Sequence, residues 1–567
     1  MKSGKCNLLA VTAAAALALS ACSNANNEEA SPSVAASQPP ASSAQAPGAG
    51  APQPDDPLAK YETPIEVTTV RAVNQSFKYK DGDSIDSNIW TQIFEEQYGI
   101  KVKNLWVVDE SQYRQKLNIS IASGDIPDFM LVNKEEMLRM NEAGQLEDLT
   151  DLLKQYATPY LNELLQQDNG VALSAATIDG KLIGVPQMMV NGGVSTSSML
   201  YVRSDWMKKL NLSAPKTIDD VIKIAEAFAK DDPDGNGKPD TYGLGVNKDL
   251  YVGHGSLTGF FNGYQAYPRT WIEGADGELA YGSVQPEMRA ALEKLRDLYA
   301  SGGIDQEFAV KDWSKLSEEV AAGKLGLAYG YVSDGGFIQK ASVDNNPNAD
   351  WAMYPIVSLT GQPVSPQLND TASNFYVVKK GSKHPEAMIK LADIYLKHYY
   401  ETNYAPDPNP FISGADGVYP GKYQPVTIDP LNVNLDAFRL VQDALAKGDG
   451  SQLGFPASVH YDRLSKFAEG DKTMWFSNAV FGAKGSYSVI DYYDKNKLGV
   501  YSKFQGAATT TMAEKGASLD KLEAETFTKI IMGESPIGDF DKYVEDWKKL
   551  GGDDITKEVN AWYASRK

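Results

Sequence analysis

IEVTTVRAV (Ile65–Val73), DSNIWTQIFEEQY (Asp86–Tyr98), IKVKNLWVV (Ile100–Val108), ESQYRQKLNISIA (Glu110–Ala122) and FMLV (Phe129–Val132) follow one another along the chain. The first, third and fifth stretches are rich in β-branched and aromatic residues, as strands are. The second and fourth repeat apolar residues three and four apart, the period of a helix that buries one face. The order strand, helix, strand, helix, strand predicts an α/β protein rather than an all-α or all-β one. Helical patterns recur at Thr217–Ala229, Pro286–Ser301, Pro385–Tyr399, Ala513–Met532 and Asp539–Leu550. Strand candidates lie between them at Met199–Val202, Gly326–Val332, Ala352–Val357 and Phe375–Lys379.

The 567 residues exceed what one hydrophobic core usually serves, so two or more lobes are expected. The only two cysteines are Cys6 and Cys22, both near the start. The folded part has no thiol, which excludes disulfides, thiolate metal sites and cysteine nucleophiles there. A net charge of -20 argues against nucleic-acid binding, which draws on Lys and Arg to neutralise phosphates.

Upstream of the folded part, Lys2 and Lys5 precede an apolar run from Leu8 to Leu19, too short to span a bilayer core that needs about 20 helical residues. A basic start, an apolar middle and a small-residue end describe a secretory leader. Leu19-Ser20-Ala21-Cys22 resembles the bacterial lipoprotein signal, in which the cysteine receives lipid. The resemblance implies a leader over residues 1–21, lipidation of Cys22, and attachment to the extracytoplasmic face of the cell membrane. The alternative is an ordinary leader cleaved beside a chance cysteine. From Ser23 to about Tyr61 the chain is mostly Ala, Ser, Pro, Gln, Gly and Asn, a composition that cannot offset its ordering entropy. Residues 22–62 are therefore expected to form a tether, with the folded body starting near Thr63.

Several later segments carry a second resemblance. Ser123-Gly124-Asp125-Ile126-Pro127-Asp128, Gly144-Gln145-Leu146, and Asp179-Gly180-Lys181 running to Gly184-Val185-Pro186-Gln187 are the first of them. Tyr201 to Trp206, Asp232 to Gly237, and Phe540 through Trp562 complete the set. In this order they resemble the extracellular solute-binding proteins of ABC importers, family 1, specifically the LipO-type group that includes alginate-oligosaccharide-binding proteins. The resemblance spans nearly the whole chain after the tether. It implies a type II periplasmic-binding-protein fold, two α/β lobes with ligand held in the cleft between them. Lobe 1 would comprise residues 63–188 and 365–425, and lobe 2 residues 189–364 and 426–567.

Asp232 to Asp240 has its own chemistry. Taking Asp232 as position one of a calcium loop puts Asp234 at three, Asn236 at five, Gly237 at the turn, the Lys238 carbonyl at seven and Asp240 at nine. Position twelve is Gly243 rather than the bidentate Glu of an EF-hand, so the full pattern fails. In related binding proteins this loop holds a structural calcium, and the resemblance extends that expectation here. The alternative is a metal-free Asn/Gly/Asp turn.

For the ligand, the family implies aromatic faces stacked on sugar rings and polar groups that fix orientation. Phe260-Phe261-Asn262-Gly263-Tyr264 to Trp271, followed by Glu273 to Glu278, resembles the cleft segment of maltose-type binding proteins. Gly330-Tyr331 ends a strand candidate where those proteins also place an aromatic, and Gln187 lies near the first crossover. Gln187, Asn262, Tyr264, Trp271 and Tyr331 are the expected ligand contacts. The cargo is expected to be an oligosaccharide and the partner an ABC permease, with the protein itself a monomer and no enzyme.

Enzyme signatures are sparse. His254, His384, His398 and His460 show no metal spacing, and neither a Gly-x-Ser-x-Gly elbow nor a phosphate-binding Gly-Lys-Ser/Thr loop occurs. A glycoside hydrolase needs only two well-placed carboxylates and stays open as the rival class. A lipoprotein that passes sensed ligand to a membrane receptor is the third reading.

Overall fold

The computed structural model describes residues 56–74, 77–190, 192–401, 409–412 and 418–566. The leader, Cys22 and the tether as far as residue 55 lie outside the described residues. Thirteen strands are described. Those before the first crossover are β1 (Ile65–Val73), β2 (Ile100–Asp109), β3 (Phe129–Asn133), β4 (Thr177–Ile178), β5 (Lys181–Leu182) and β6 (Val185–Pro186). After it come β7 (Met199–Arg203), β8 (Tyr242–Gly245), β9 (Trp271–Glu273), β10 (Leu279–Tyr281), β11 (Leu325–Gly330) and β12 (Trp351–Pro355). The chain then returns as β13 (Asn374–Val378).

The opening run folds as its pattern predicts. Asn88 caps the helix Ile89–Tyr98 in a reciprocal capping box with Thr91, and Gly99 ends it at φ 68°, a left-handed conformation glycine adopts without strain. That helix returns the chain so that β2 pairs parallel with β1 from Ile65↔Ile100 onward. The helix Glu110–Ser123 then leads to β3, which pairs antiparallel with β13; β6 flanks β13 on its other edge. Asp128 ties these layers together: its carboxylate accepts from Thr68 N at 2.8 Å, Thr68 Oγ1 at 2.6 Å and Ser382 Oγ at 2.7 Å.

A second sheet has the order β12-β7-β11-β8, with β11 and β8 parallel and the other pairs antiparallel. This second sheet is thus mixed, whereas β1-β2 is a parallel pair and β3-β13-β6 is wholly antiparallel. Helices pack around the second sheet, including Ile218–Lys230, whose buried face is Ile218, Val221, Ile224, Ala225 and Phe228. Four helices that no simple pattern announces, Val433–Lys447, Ala457–Ala468, Trp475–Phe481 and Ser486–Lys495, belong to the same lobe.

The apolar side chains separate into two clusters, so the two-lobed architecture rests on two cores. One gathers residues between Ile65 and Met188 with Ala372 to Leu431. The other gathers Met199 to Val364 with Leu435 to Val559. The first core continues through Val426, Ile428 and Leu431, past the expected boundary at 425, because these apolar residues are fully buried. It also begins before residue 63: the Tyr61 hydroxyl donates to Glu386 Oε1 at 2.6 Å and its ring lies 4.5 Å from Lys390 Nζ.

The chain crosses between the cores near residues 189–198, 365–371 and 432–434. At the first crossing Gly193 has φ 56°, and a Cβ there would stand 3.1 Å from the Tyr501 hydroxyl. Left-handed backbone and close packing together favour glycine at this point.

Candidate functional site

A cavity of about 810 Å³ opens at the carboxyl-terminal halves of β1 and β3. This is the end of an α/β layer where ligands usually bind, and the volume suits a small ligand. β1 contributes Thr69 to Ala72, β3 contributes Leu131, and β13 contributes Asn374 and Tyr376. The helix Glu110–Ser123 adds Tyr113 and Arg114, the helix Ala387–Tyr399 adds Tyr395 and Tyr399, and the segment from Tyr419 to Asp429 closes the wall.

Its polar groups form several hydrogen-bonded sets. Gln187 Nε2 donates to the Tyr376 hydroxyl at 3.2 Å and to Thr427 Oγ1 at 3.0 Å, and Thr427 N donates to the same tyrosine at 2.9 Å. Arg114 donates to Glu136 Oε2 and to Asn374 Oδ1, each at 2.6 Å. Asp429 accepts from the Tyr395 and Tyr400 hydroxyls at 2.7 and 2.8 Å, while burial raises its pKa above the usual carboxylate range. Arg71, near the end of β1, donates to the carbonyls of Tyr423 and Lys422 at 2.9 and 3.2 Å. Gln424 is 4% exposed, and neither its Nε2 nor its Oε1 has a hydrogen-bond partner.

A smaller cavity of about 90 Å³ lies in the second lobe, at the carboxyl end of β11. Tyr331, Thr258 and Ser198 line it with Thr196, Gln367 and Asn369 from the crossings. The crossings therefore run from one cavity to the other: Gln187 lines the first and Thr196 the second, as do Asn374 and Asn369 on the way back. A third cavity, about 290 Å³, shares Arg269 with the second and is walled by Trp271, Tyr281 and Trp547, the last two stacked at 5.1 Å.

The five expected ligand contacts are placed apart. Gln187 lines the large cavity, Tyr331 the small one and Trp271 the third. Asn262 is wholly buried: its Nδ2 donates to the Ala266 carbonyl at 3.1 Å, and its Oδ1 accepts from Gln367 N at 2.8 Å. It pins a crossing rather than facing a cavity. Tyr264 packs on Phe260 at 5.4 Å, 6% exposed, and lines none of the three cavities. Arg71, Arg114, Asn374, Tyr376, Gln424 and Thr427 went unseen in the sequence. One signal was available for Arg71, a charged residue between the apolar Val70 and Ala72 in the second half of a strand.

The Asp232–Asp240 loop is folded on itself. Asp232 accepts from Gly235 N, Asn236 N and Gly237 N at 3.0, 3.1 and 3.1 Å. Asn236 Nδ2 donates to Asp234 at 2.7 Å and to Asp240 at 2.9 Å. Lys209 Nζ caps the loop on the Asp232 and Pro233 carbonyls at 3.1 and 3.0 Å. Burial and the neighbouring Asp240 and Asp232 charges raise the Asp234 pKa. The donors are hard oxygens, as calcium prefers. Their arrangement is one of mutual hydrogen bonds, and among the described residues no three His, Cys, Asp or Glu side chains group closely enough to hold a metal ion.

No helix among the described residues is long and apolar enough to cross a membrane. Lipoprotein LipO of Bacillus subtilis (strain 168) is 27% identical over 486 residues, covering 83% of this chain and 88% of that protein. The polygalacturonan/rhamnogalacturonan-binding protein YtcQ of the same organism is 23% identical over 477 residues, covering 82% of this chain and 85% of its own. Among solved structures, an HMO-binding, ABC-transporter-associated solute-binding protein from Bifidobacterium longum infantis ATCC 15697 superposes with a TM-score of 0.60 at 16% identity. That match covers 89% of this chain and 99% of the other, and it carries the fold. The bacterial extracellular solute-binding protein family matches residues 78–398, more than half of the sequence, and the chain belongs to that family.

Proposed function

We propose that this protein captures an oligosaccharide between its two lobes, outside the cytoplasm, and delivers it to the permease of an ABC importer. The observation that carries the reading is the large cavity at the ends of β1 and β3. Tyr113, Tyr376, Tyr395 and Tyr399 offer aromatic faces, while Gln187, Asn374 and Thr427 offer the amides and hydroxyls that suit sugar hydroxyls. Relatives that bind polygalacturonan or rhamnogalacturonan, and HMO, favour a glycan cargo. Ligand that prefers the closed arrangement shifts the lobes toward it, and the closed form is what a permease would recognise.

Lipid on Cys22 would hold this monomeric receptor near its importer. A stable hold generally needs more than one acyl chain, which lipoprotein-type diacylation supplies. Fractionation of a Cys22→Ala variant tests this: release from the membrane is expected, and unchanged association contradicts the anchor. Calcium would take the Asp232, Asp234, Asn236, Lys238 and Asp240 oxygens in place of the loop's internal hydrogen bonds. A rise in melting temperature on adding calcium after EDTA is expected, and an unchanged melt removes the metal.

The test of the main reading is a thermal-shift screen of the purified protein against plant and microbial oligosaccharides, with product analysis on the same mixtures. A ligand at about a hundred times its dissociation constant should stabilise the fold by about 2.7 kcal/mol. Binding without cleavage is expected. Turnover of a bound glycan would instead establish a glycoside hydrolase.

A further inference from the structure

Arg71 is a buried cation without an anion. It is 9% exposed in the wall of the large cavity, and two of its five N–H groups donate to the Tyr423 and Lys422 carbonyls. Among the described residues it forms no ion pair. The wall's carboxylates are engaged elsewhere: Asp429 with the Tyr395 and Tyr400 hydroxyls, Glu110 with Asn74 Nδ2 at 2.8 Å. The nearby Arg114, by contrast, holds Glu136 at 2.6 Å. Burial pushes the Arg71 guanidinium down to about 10, the direction expected when water is removed and the surrounding tyrosines and the Asp86 carboxylate, which forms no ion pair with it, offset only part of the loss.

Gln424 is the second observation. It follows Tyr423, whose carbonyl Arg71 holds, lines the same cavity, and is 4% exposed with both polar atoms unpartnered. An unpaired guanidinium and an unspent amide on one wall are complementary to a carboxylate flanked by hydroxyls. The planar guanidinium fork matches the two oxygens of a carboxylate. Closing the lobes on a neutral sugar would strip more water from Arg71 and return nothing, which is costly for a charge.

We infer that the cavity selects acidic oligosaccharides and that Arg71 receives the carboxylate of a uronic acid unit, with Gln424 beside it; the inference rests on the oligosaccharide reading above. Arg71 sets which glycan is held, and the tyrosines and Gln187 hold glycans in general.

The experiment is calorimetric titration of the full-length protein in detergent with oligogalacturonates, oligomannuronates and oligoglucuronates. Each is paired with its carboxyl-reduced, neutral counterpart, and a sulfated oligosaccharide is run beside them. At least one uronate series is expected to bind about tenfold or more tighter than its reduced form, with the gap narrowing as salt is raised. Arg71→Gln should bring the pair within about threefold of each other, Arg71→Lys should keep part of the gap, and melting curves confirm folding. Should Arg71→Gln not fold, Arg71→Lys and Gln424→Leu report on the same gap. A reduced form that binds as well as its uronate, a preference for sulfate alone, or a gap untouched by Arg71→Gln overturns the assignment. Tight binding of neutral glycans only would overturn it while leaving glycan capture standing; no binding of any glycan would overturn both.

Discussion

The wall of the first lobe and the wall of the second are built differently. The first encloses about 810 Å³ and leaves Arg71 without a counter-ion and Gln424 without partners. The second encloses about 90 Å³, is lined in part by the crossings, and fixes Tyr331 by a 2.9 Å bond from its N to Asp334 Oδ2. On the proposed reading, a ligand would gain most of its polar contacts on the first wall.

The largest effect expected from this contrast concerns what supports the first wall. The helix Ala387–Tyr399, which supplies Tyr395 and Tyr399, also carries Asp393, whose carboxylate accepts from Thr158 N at 3.0 Å and from the Thr158 hydroxyl. Burial raises the Asp393 pKa to about 7 from an ordinary 3.8. Below about pH 4 the group is neutral folded or unfolded; between about 4 and 7 only the folded form keeps the proton, so stability falls as pH rises through that window. Asp393→Asn should remove this loss, worth on the order of 4 kcal/mol above pH 7, and flatten the pH dependence. Melting curves at pH 4, 6 and 8 check it, and parallel curves for variant and parent would break the contrast.

Binding comes next. Gln187→Ala removes three hydrogen bonds from the first wall and should weaken glycan binding about tenfold, whereas Tyr331→Ala on the second should cost less than about threefold. Equal losses in calorimetry would mean the walls share the ligand evenly. A smaller effect belongs to the crossing. Gly193→Ala forces a side chain into left-handed backbone beside the Tyr501 hydroxyl, a cost of about 1 kcal/mol that should slow lobe closure in stopped-flow fluorescence.

The same contrast shows how far the sequence could be read. The strands and helices from Ile65 to Asn133 were legible because β-rich runs and a three-and-four apolar spacing alternate along this stretch. The helices between Val433 and Lys495 were not, since they cluster against one another and short apolar runs leave helix and strand ambiguous. Gln187, singled out from its place after Pro186 near a crossing, does line the first cavity. Asn262 misled because a polar residue in a glycine-rich segment serves a ligand or a buried backbone equally well, and here it holds Gln367 N. Arg71 and Gln424 stand far apart in sequence, and only the fold brings them to one wall.

Hydrogen–deuterium exchange with and without a glycan found by the screen measures the central claim most directly. Protection is expected at residues 69–74, 374–376 and 421–429, with smaller changes at the crossings near 193–198 and 367–371. Protection confined to the third cavity, around Trp271, Tyr281 and Trp547, with none at β1 or β13, would contradict ligand capture on the first lobe.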